Sequence, residues 1–529
     1  FPFPQNSPAL RKHSNKHPMP ILCLNLKRFP LKSIKFAIKN LLYDYMTKQE
    51  IYNTLLEGEN ISLECKKAKG GLPNSMWETY SAFANTYGGT ILLGVEENTK
   101  AESDEQRFSI IGVDDAMKMC ANLWNMLNNS EKVSANLLTD KDVTTEVIDG
   151  KTIVVVKVPR ADVSLRPIYI NGNPLRGAFK RNHEGDYHMS KEEIRMMLRD
   201  ADDDSNDKLF LEHYTMDDID LPSLISYRNR FSSHNPAHIW NAYDHRQFLM
   251  EFGAYNVDRA TGQEGLTLAG MLMFGKGLPI RNRFCNLRMD YIDKSQLDGE
   301  ERYSDRLTYD GTWENNIYNF LELTLPKLLR DIPRPFKMEG VVRIDDTLQH
   351  KAIREALTNS IIHADFMING LLRVVKYTDR LEFTNPGLLK IPAERIYAGD
   401  ESKARNQNIQ NMLRMIGLGE GIGSGFHLIL NAAADKQWKR PELFEEQDLM
   451  QVKLILYTES EQQNVQKNVQ KNVQKELTER QRNILKILQE KSNITLEELS
   501  KRMSNSVKTI QRDMKVWQEK GSIVREGSR

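Results

Sequence analysis

Apolar and polar positions alternate along residues 46–200 with two periods, one typical of strands and one typical of helices. The runs TILLGVEE (90–97) and TIVVVKVP (152–159) are rich in β-branched residues and predict buried strands. Helical segments separate them, which predicts a mixed α/β unit. The acid-rich run DADDDSND (200–207) follows and predicts a solvated boundary.

One helix of this first unit has a well-defined apolar face. Its aromatic and small residues recur three or four positions apart, which is the spacing of a face that packs into a core. Gly88 and Gly89 then predict a turn into the next strand. The predicted core residues are Trp77, Tyr80, Phe83 and Ala84.

The rest of the chain divides into four further segments, so the predicted fold class is α+β with several domains. Residues 209–335 form a connecting region in which no chemistry is evident, and residues 336–458 form a second α/β unit. Residues 459–476 contain the repeat NVQK, whose valines would fall on one side of a helix. The repeat predicts either a flexible tether or a short pairing helix, and we favour the tether. Residues 477–529 predict three helices and a terminal hairpin.

A polar stripe crosses one otherwise apolar helix of the second α/β unit. In EALTNSIIHADF (355–366), Glu355, Asn359 and His363 lie four residues apart and therefore on one face. Such a stripe is usually a solvated face, and a histidine at its end is usually a capping or surface group. The alternative is that the stripe forms one wall of a binding site.

Composition narrows the class of protein. Lys plus Arg number 73 and Asp plus Glu 72, so nucleic-acid binding requires local basic patches. The four cysteines are far apart in the sequence and lack metal-ligand spacing, which favours a reducing cytoplasm. Charges interrupt every apolar run, so no run predicts a membrane helix. Residues 1–45 contain a single acidic residue, Asp44; we interpret them as preceding a true start at Met46, and a basic targeting segment is the alternative.

The last segment carries a local basic patch. Residues 477–529 contain 12 basic and 7 acidic residues, a net charge of +5. Capping boxes at Thr478 and Thr495 define two helix starts, and a third helix follows Ser506 with Ile510 on its inner face. The segment resembles the winged helix-turn-helix of bacterial transcription regulators, which implies DNA as a partner; such modules also connect proteins. Outward residues suited to phosphates and base edges are Lys508, Thr509, Gln511, Arg512 and Lys515.

The stripe contains the residue types that a nucleotide site needs. Asn359 offers an amide oxygen to Mg²⁺, and Glu355 is placed to orient or deprotonate a water molecule. Phosphates need close approach by backbone N–H groups, which glycine allows. The run GLGEGIGSGFHLI (417–429) supplies glycines directly before an apolar helical stretch.

This order of elements resembles the GHKL ATPase fold of gyrase, MutL and histidine kinases, in a divergent, RecG-like form that implies ATP and Mg²⁺ as cofactors. The resemblance matches Glu355 to the family's base and Asn359 to its metal ligand, with hydrolysis left open. Asn385, in TNPGLL, stands where the family has an adenine-binding aspartate, so the charge-assisted part of that contact is lost. The remaining cofactor-binding positions by this resemblance are Gly387, Gly421, Gly423 and Gly425.

The first unit contains LECKKA (63–68) and AFANTYGGTILLGVEE (82–97), and with residues 169–190 it resembles the Schlafen-type AlbA-like domain, a nucleic-acid-associated fold. Two functions compete for it. Basic residues, chiefly Lys66, Lys67 and Arg181, predict a phosphate-contacting surface. Alternatively, Glu59, Glu64 and Glu96 resemble the carboxylates of RNA-cleaving Schlafen members, which hold a divalent metal.

These patterns together predict a cytoplasmic regulator of bacterial type that binds ATP and DNA, in which nucleotide occupancy repositions the winged helix. The alternatives are a nucleotide-gated, metal-dependent nuclease acting on RNA or DNA, and an interaction scaffold with an inactive nucleotide site. ATPase activity, RNA binding and a homo-oligomer stay open, and no membrane association is expected.

Overall fold

The computed structural model describes most of residues 48–459 and parts of the C-terminal segment. The described ranges are 48–98, 100–101, 107–202, 204–285, 287–297, 301–334, 337–339, 342–344, 346–399, 402–419, 425–459, 483–484, 486–487, 494–503 and 506–512. Several predictions concern residues outside these ranges: the leader, the NVQK repeat, the Thr478 cap, Gly421, Gly423 and Lys515.

The chain forms two compact units. The first contains residues 1–160 and 181–187, and the second contains residues 161–180 and 188–529. None of the helices that the structure describes combines the length and apolar character needed to cross a bilayer.

The first unit is built on a four-stranded sheet in the order β1-β2-β6-β5, with β1 parallel to β2 and the other pairs antiparallel. The predicted strands are confirmed as β2, β3 and β6. The elements are α1 (Lys48–Glu57), β1 (Leu63–Lys66), α2 (Ser75–Asn85), β2 (Gly89–Leu93), β3 (Val95–Glu97), β4 (Phe108–Ile110), α3 (Ala116–Leu127), β5 (Val143–Ile148) and β6 (Lys151–Val158).

Helix α2 confirms the predicted core face: Trp77, Tyr80, Phe83 and Ala84 are each at most 1% exposed. The chain then turns at Gly88, whose φ is +78°. A β-carbon at this position would lie 2.8 Å from the Val158 carbonyl oxygen, so the turn requires glycine.

The second unit begins with short strands and helices. In chain order these elements are α4 (Pro174–Gly177), β7 (Phe179–Asn182), β8 (Gly185–His188), α5 (Lys191–Ala201), α6 (Leu221–His234), α7 (His245–Glu251), β9 (Tyr255–Val257), β10 (Glu264–Leu266), α8 (Leu268–Phe274) and α9 (Gly277–Arg283). Strand β7 and the β8 segment carry residues of both units.

A six-stranded sheet in the order β12-β11-β15-β16-β18-β17 organises the rest of the second unit. Strand β11 runs parallel to β15, and the other pairs are antiparallel. The elements are β11 (Leu287–Asp293), β12 (Asp305–Leu307), α10 (Ile317–Leu329), β13 (Lys337–Glu339), β14 (Val342–Ile344), α11 (Leu348–Ile362), β15 (Gly370–Lys376), β16 (Arg380–Pro386), α12 (Ala393–Ala398), α13 (Gln407–Met415), α14 (Gly425–Asp435), β17 (Glu442–Glu446) and β18 (Gln451–Tyr457).

The connecting region contributes directly to this sheet. Strands β11 and β12 come from residues 209–335. Strand β12 forms the sheet edge and pairs with β11, which pairs with β15 of residues 336–458. One hydrophobic core runs from Leu211 to Leu456 across both segments. The two segments therefore fold around shared apolar surface.

The acid-rich run 200–207 is solvated only in part, which corrects the expectation: Asp202 and Asp204 are exposed, but two other aspartates of the run are buried. Asp200 is 5% exposed and Asp207 is fully buried. Asp207 accepts a hydrogen bond from the Ile409 N–H at 2.8 Å, and the Ser205 hydroxyl accepts one from the Gln407 N–H at 2.9 Å. These groups satisfy N–H groups in the first turn of α13, which lack partners within that helix.

In the C-terminal segment the structure describes α15 (Leu496–Met503) and a helical stretch at 507–512. The Thr495 hydroxyl accepts a hydrogen bond from the Glu498 N–H at 3.2 Å, so the predicted cap of this helix forms. Ile484, Leu499 and Ile510 pack together as a small core. The inward position predicted for Ile510 is confirmed.

Candidate functional site

The polar stripe lines a cavity between helix α11 and the six-stranded sheet. Glu355, Asn359 and His363 of α11 form one wall, Asn385 lies at the end of β16, and Gly425 begins α14. The cavity volume is about 110 Å³. The structure thus brings together Glu355, Asn359, Asn385 and Gly425, which are up to 70 residues apart in the chain. Gly387, also predicted to bind the cofactor, does not line the cavity.

Helix α11 holds the stripe in the interior because its other faces are apolar. Ala352, Ile353, Ala356 and Leu357 pack into the main core, so the helix cannot rotate the stripe toward solvent. Glu355 is only 5% exposed. Asn359 and His363 are half-buried and line the cavity, so the stripe is not an ordinary solvated face.

The carboxylate of Glu355 lies against the start of α14. A β-carbon at Gly425 would stand 1.8 Å from Glu355 Oε1, so only glycine allows this approach. Negative charge is favourable near a helix N-terminus, where the peptide dipoles leave partial positive charge. The same feature suits a phosphate group.

The side-chain amide of Asn359 lines the cavity. No described residue hydrogen-bonds to its side chain, although its backbone carbonyl accepts the His363 N–H at 3.1 Å. Asn385 is 6% exposed, and its amide makes one long contact, 3.4 Å, to the Pro386 carbonyl. An amide oxygen beside a carboxylate is a donor set that Mg²⁺ accepts, so these residues fit a magnesium nucleotide.

Three cations that sequence reasoning did not assign also line the cavity: Lys390, Lys403 and Arg405. Lys390 is 8% exposed and Arg405 is 1% exposed. They lie on loops around α12, where no periodicity marks an inward face, so only the fold shows that they converge. Arg405 is paired with Asp200, and the charges of Lys390 and Lys403 favour a polyanionic ligand.

His363 is held neutral at physiological pH. Desolvation in the cavity wall, and then the charges of Arg405 and Lys390, lower its pKa from 6.5 to about 4. A neutral imidazole adds no charge to the cavity.

This shift predicts an acid-dependent loss of stability. The unfolded histidine takes up a proton below pH 6.5 and the folded one only below about 4, so the free energy of unfolding should fall as pH drops through this window. The slope due to His363 is at most about 1.4 kcal/mol per pH unit. Urea unfolding of wild type and His363→Gln between pH 7 and 4 measures it; the same pH slope in both proteins would contradict the assignment.

In the first unit, Arg181 does not lie on a phosphate-contacting surface, which corrects the prediction. It is 2% exposed and stacks 5.1 Å from the Phe83 ring. Its guanidinium donates to Asp186 at 2.9 Å and to the Asn60 carbonyl at 2.9 Å, and it forms an ion pair with Glu64 at 2.9 Å. These partners occupy the guanidinium N–H groups that would otherwise donate to a phosphate.

The three carboxylates of the nuclease alternative are not arranged as a metal site. Glu64 pairs with Lys66 and Arg181, and Glu96 pairs with Lys67 at 2.6 Å. Glu59 accepts the Cys65 N–H at 2.8 Å, and burial together with the Glu64 charge raises its pKa to about 7. Within the described ranges, no group of three or more His, Cys, Asp or Glu side chains is placed to hold a metal ion.

The lysines and the C-terminal helix remain compatible with nucleic acid. Lys67 is exposed, although its charge is paired with Glu96, and Lys66 is half-buried beside Glu64. In the stretch 507–512, Lys508, Gln511 and Arg512 are exposed and Thr509 is half-buried. The predicted outward face of this helix is thus confirmed for Lys508, Gln511 and Arg512.

Comparison with protein-family models gives four matches in order along the chain. Residues 59–190 match "Schlafen, AlbA_2", residues 195–290 match a domain of unknown function, residues 372–454 match "Putative ATP-dependent DNA helicase recG C-terminal", and residues 480–527 match "HTH domain". The three resemblances found in the sequence are confirmed in kind and order. The match to the recG C-terminal model begins at residue 372, after the end of α11. Glu355 and Asn359 therefore lie outside the matched residues, and it is the fold that places them in one cavity with Asn385.

Two solved structures are similar. One is the DIP2311 protein from Corynebacterium diphtheriae, 16% identical, with a TM-score of 0.37, over 92% of this chain and 80% of that chain. The other is the N-terminal domain of a putative ATP-dependent DNA helicase RecG-related protein from Nitrosomonas europaea, 28% identical, with a TM-score of 0.20, over 27% of this chain and 94% of that chain. No curated protein matches the chain.

Proposed function

We propose that this protein is a cytoplasmic, DNA-binding transcriptional regulator whose second unit binds ATP with Mg²⁺. The observation that carries the proposal is one cavity in which Asn359, Glu355, Asn385 and the glycine start of α14 converge. The family matches supply two nucleic-acid-associated modules on either side of it along the chain. The three described cysteines have free thiols, which suits a reducing compartment.

Each cavity residue has a role in this proposal. Asn359 would hold Mg²⁺ through its amide oxygen, and the metal would neutralise phosphate charge when bound. Lys390 and Lys403 would add positive charge near the phosphates, and Asn385 would accept a hydrogen bond from the base. Glu355 is the group placed to orient or deprotonate a water, if hydrolysis follows binding.

The proposal predicts that nucleotide stabilises the protein in a metal-dependent way. A ligand that binds only the folded state at 100 times its Kd adds about 2.7 kcal/mol to the free energy of unfolding. We expect ATP and a non-hydrolysable analogue to raise the melting temperature with Mg²⁺, and to do so less without it. The same measurement with GTP tests the preference for adenine over guanine. We expect this preference to be weak, because Asn385 lacks the charge of the family's adenine-binding aspartate.

The nucleotide site and the DNA-binding module are tested separately. If no nucleotide changes the melting temperature, with or without Mg²⁺, the nucleotide site is contradicted and the interaction scaffold is the better interpretation. DNA binding is measured separately by titration at several salt concentrations, because phosphate contacts make the affinity fall with salt. Replacing both Lys508 and Arg512 by alanine should reduce that salt slope.

A further inference from the structure

A buried guanidinium joins three segments under the nucleotide cavity. Arg405 donates to both oxygens of Asp200, at 2.8 and 2.6 Å. It also donates to the Leu388 carbonyl at 2.9 Å and to the His363 carbonyl. Asp200 belongs to the last turn of α5, whereas Leu388 and His363 line the cavity.

These bonds set the spacing of the cavity walls. His363 ends the helix that carries Glu355 and Asn359, and Leu388 follows the strand that carries Asn385. One rigid, planar group that bonds to both carbonyls fixes the distance between the two walls.

Gly387 is part of the same arrangement. Its φ is +98°, and a β-carbon there would lie 2.8 Å from Arg405 Nη1. The predicted cofactor-binding glycine therefore makes room for the guanidinium.

The guanidinium depends on Asp200, because a buried cation without a counter-charge is costly. Burial alone would raise the pKa of Asp200, but the charge and hydrogen bonds of Arg405 outweigh it and hold the pKa below its ordinary value. Both groups thus stay charged, and α5 supplies the negative charge that keeps Arg405 in place.

We propose that Asp200 and Arg405 are positioning residues of the nucleotide cavity, so that nucleotide binding is coupled to the packing of α5. This inference rests on the proposed function. It extends the site beyond residues 336–458 to a helix that begins directly after the Schlafen-type match ends at residue 190. Nucleotide binding and the order of α5 then stabilise each other, as linkage requires.

The same helix offers a matched control. Arg199 pairs with Asp365 at 2.7 Å, and Asp365 is 1% exposed. Neither residue lines the cavity. Asp200→Asn and Asp365→Asn therefore each remove a buried carboxylate from an ion pair. Only the first changes a hydrogen-bond partner of Arg405, whereas Asp365 acts on that guanidinium at a distance, through its charge.

The test combines a titration and an exchange measurement on the full chain. Titration with a fluorescent ATP analogue and Mg²⁺ should give a Kd 10- to 100-fold higher for Asp200→Asn than for Asp365→Asn, in the range found for groups that orient ligand-binding residues. In wild type, ATP with Mg²⁺ should slow hydrogen exchange of the α5 amides. If Asp200→Asn does not fold, the exchange measurement on wild type decides alone.

The outcomes are distinguishable. Equal Kd values for the two variants, or no effect of ATP on exchange in α5, would overturn the coupling while leaving the proposed function intact. Absence of binding to wild type would overturn both.

Discussion

Arg181→Met is expected to lower the free energy of unfolding of the first unit by about 3–5 kcal/mol, the usual effect of breaking a buried ion pair. Methionine keeps much of the side-chain volume but leaves the Asp186 carboxylate, 12% exposed, without its cation. The Glu64 carboxylate, 9% exposed, keeps only Lys66. The measurement is urea-dependent labelling of Cys65, a free thiol in the core of this unit, quantified by mass spectrometry.

Lys67→Ala is the matched control for Arg181→Met. Its pair with Glu96 is exposed at both ends, and such pairs contribute about 0–1 kcal/mol. If Arg181→Met instead leaves stability within that range and weakens nucleic-acid binding, the surface role first predicted for Arg181 is correct.

Asn359→Ala is expected to abolish the Mg²⁺-dependent part of nucleotide binding. Loss of the only protein amide proposed to hold the metal should raise the Kd for ATP about 100-fold in Mg²⁺, which corresponds to about 2.7 kcal/mol. Without Mg²⁺, wild type and variant should bind alike. Calorimetric titration with and without the metal measures both values.

Lys351→Ala is the control for Asn359→Ala, because Lys351 is exposed on the same helix and does not line the cavity. It should leave both Kd values unchanged. An Asn359→Ala protein that keeps the full effect of Mg²⁺ would show that the amide does not hold the metal.

Local patterns in the sequence predicted the elements and several of their faces correctly. The core face of α2, strand β6, the Thr495 cap and the inward Ile510 depend on residues within one or two turns of each other. The stripe on α11 was equally visible, since helix periodicity places residues four apart on one face. Glu355 and Asn359 of this stripe line one cavity with Asn385 and Gly425, as the family resemblance led us to expect.

Charged residues were the main source of error. Arg181, Asp200 and Asp207 have the residue types and neighbours of surface groups, yet the structure buries all three. Each is stabilised by a partner remote in the chain: Glu64 for Arg181, and residues 405–409 for the two aspartates. Sequence spacing contains no signal for such pairs.

The sequence by itself determined which residues share a helix or strand face, because periodicity and capping are local properties of the chain. Only the tertiary structure decided which faces meet: that residues 209–335 complete the six-stranded sheet, and that Arg405 joins α5 to the cavity. The physical reason is that a buried charge is stable only with its partner, and that partner is chosen by the packing of segments some 200 residues apart.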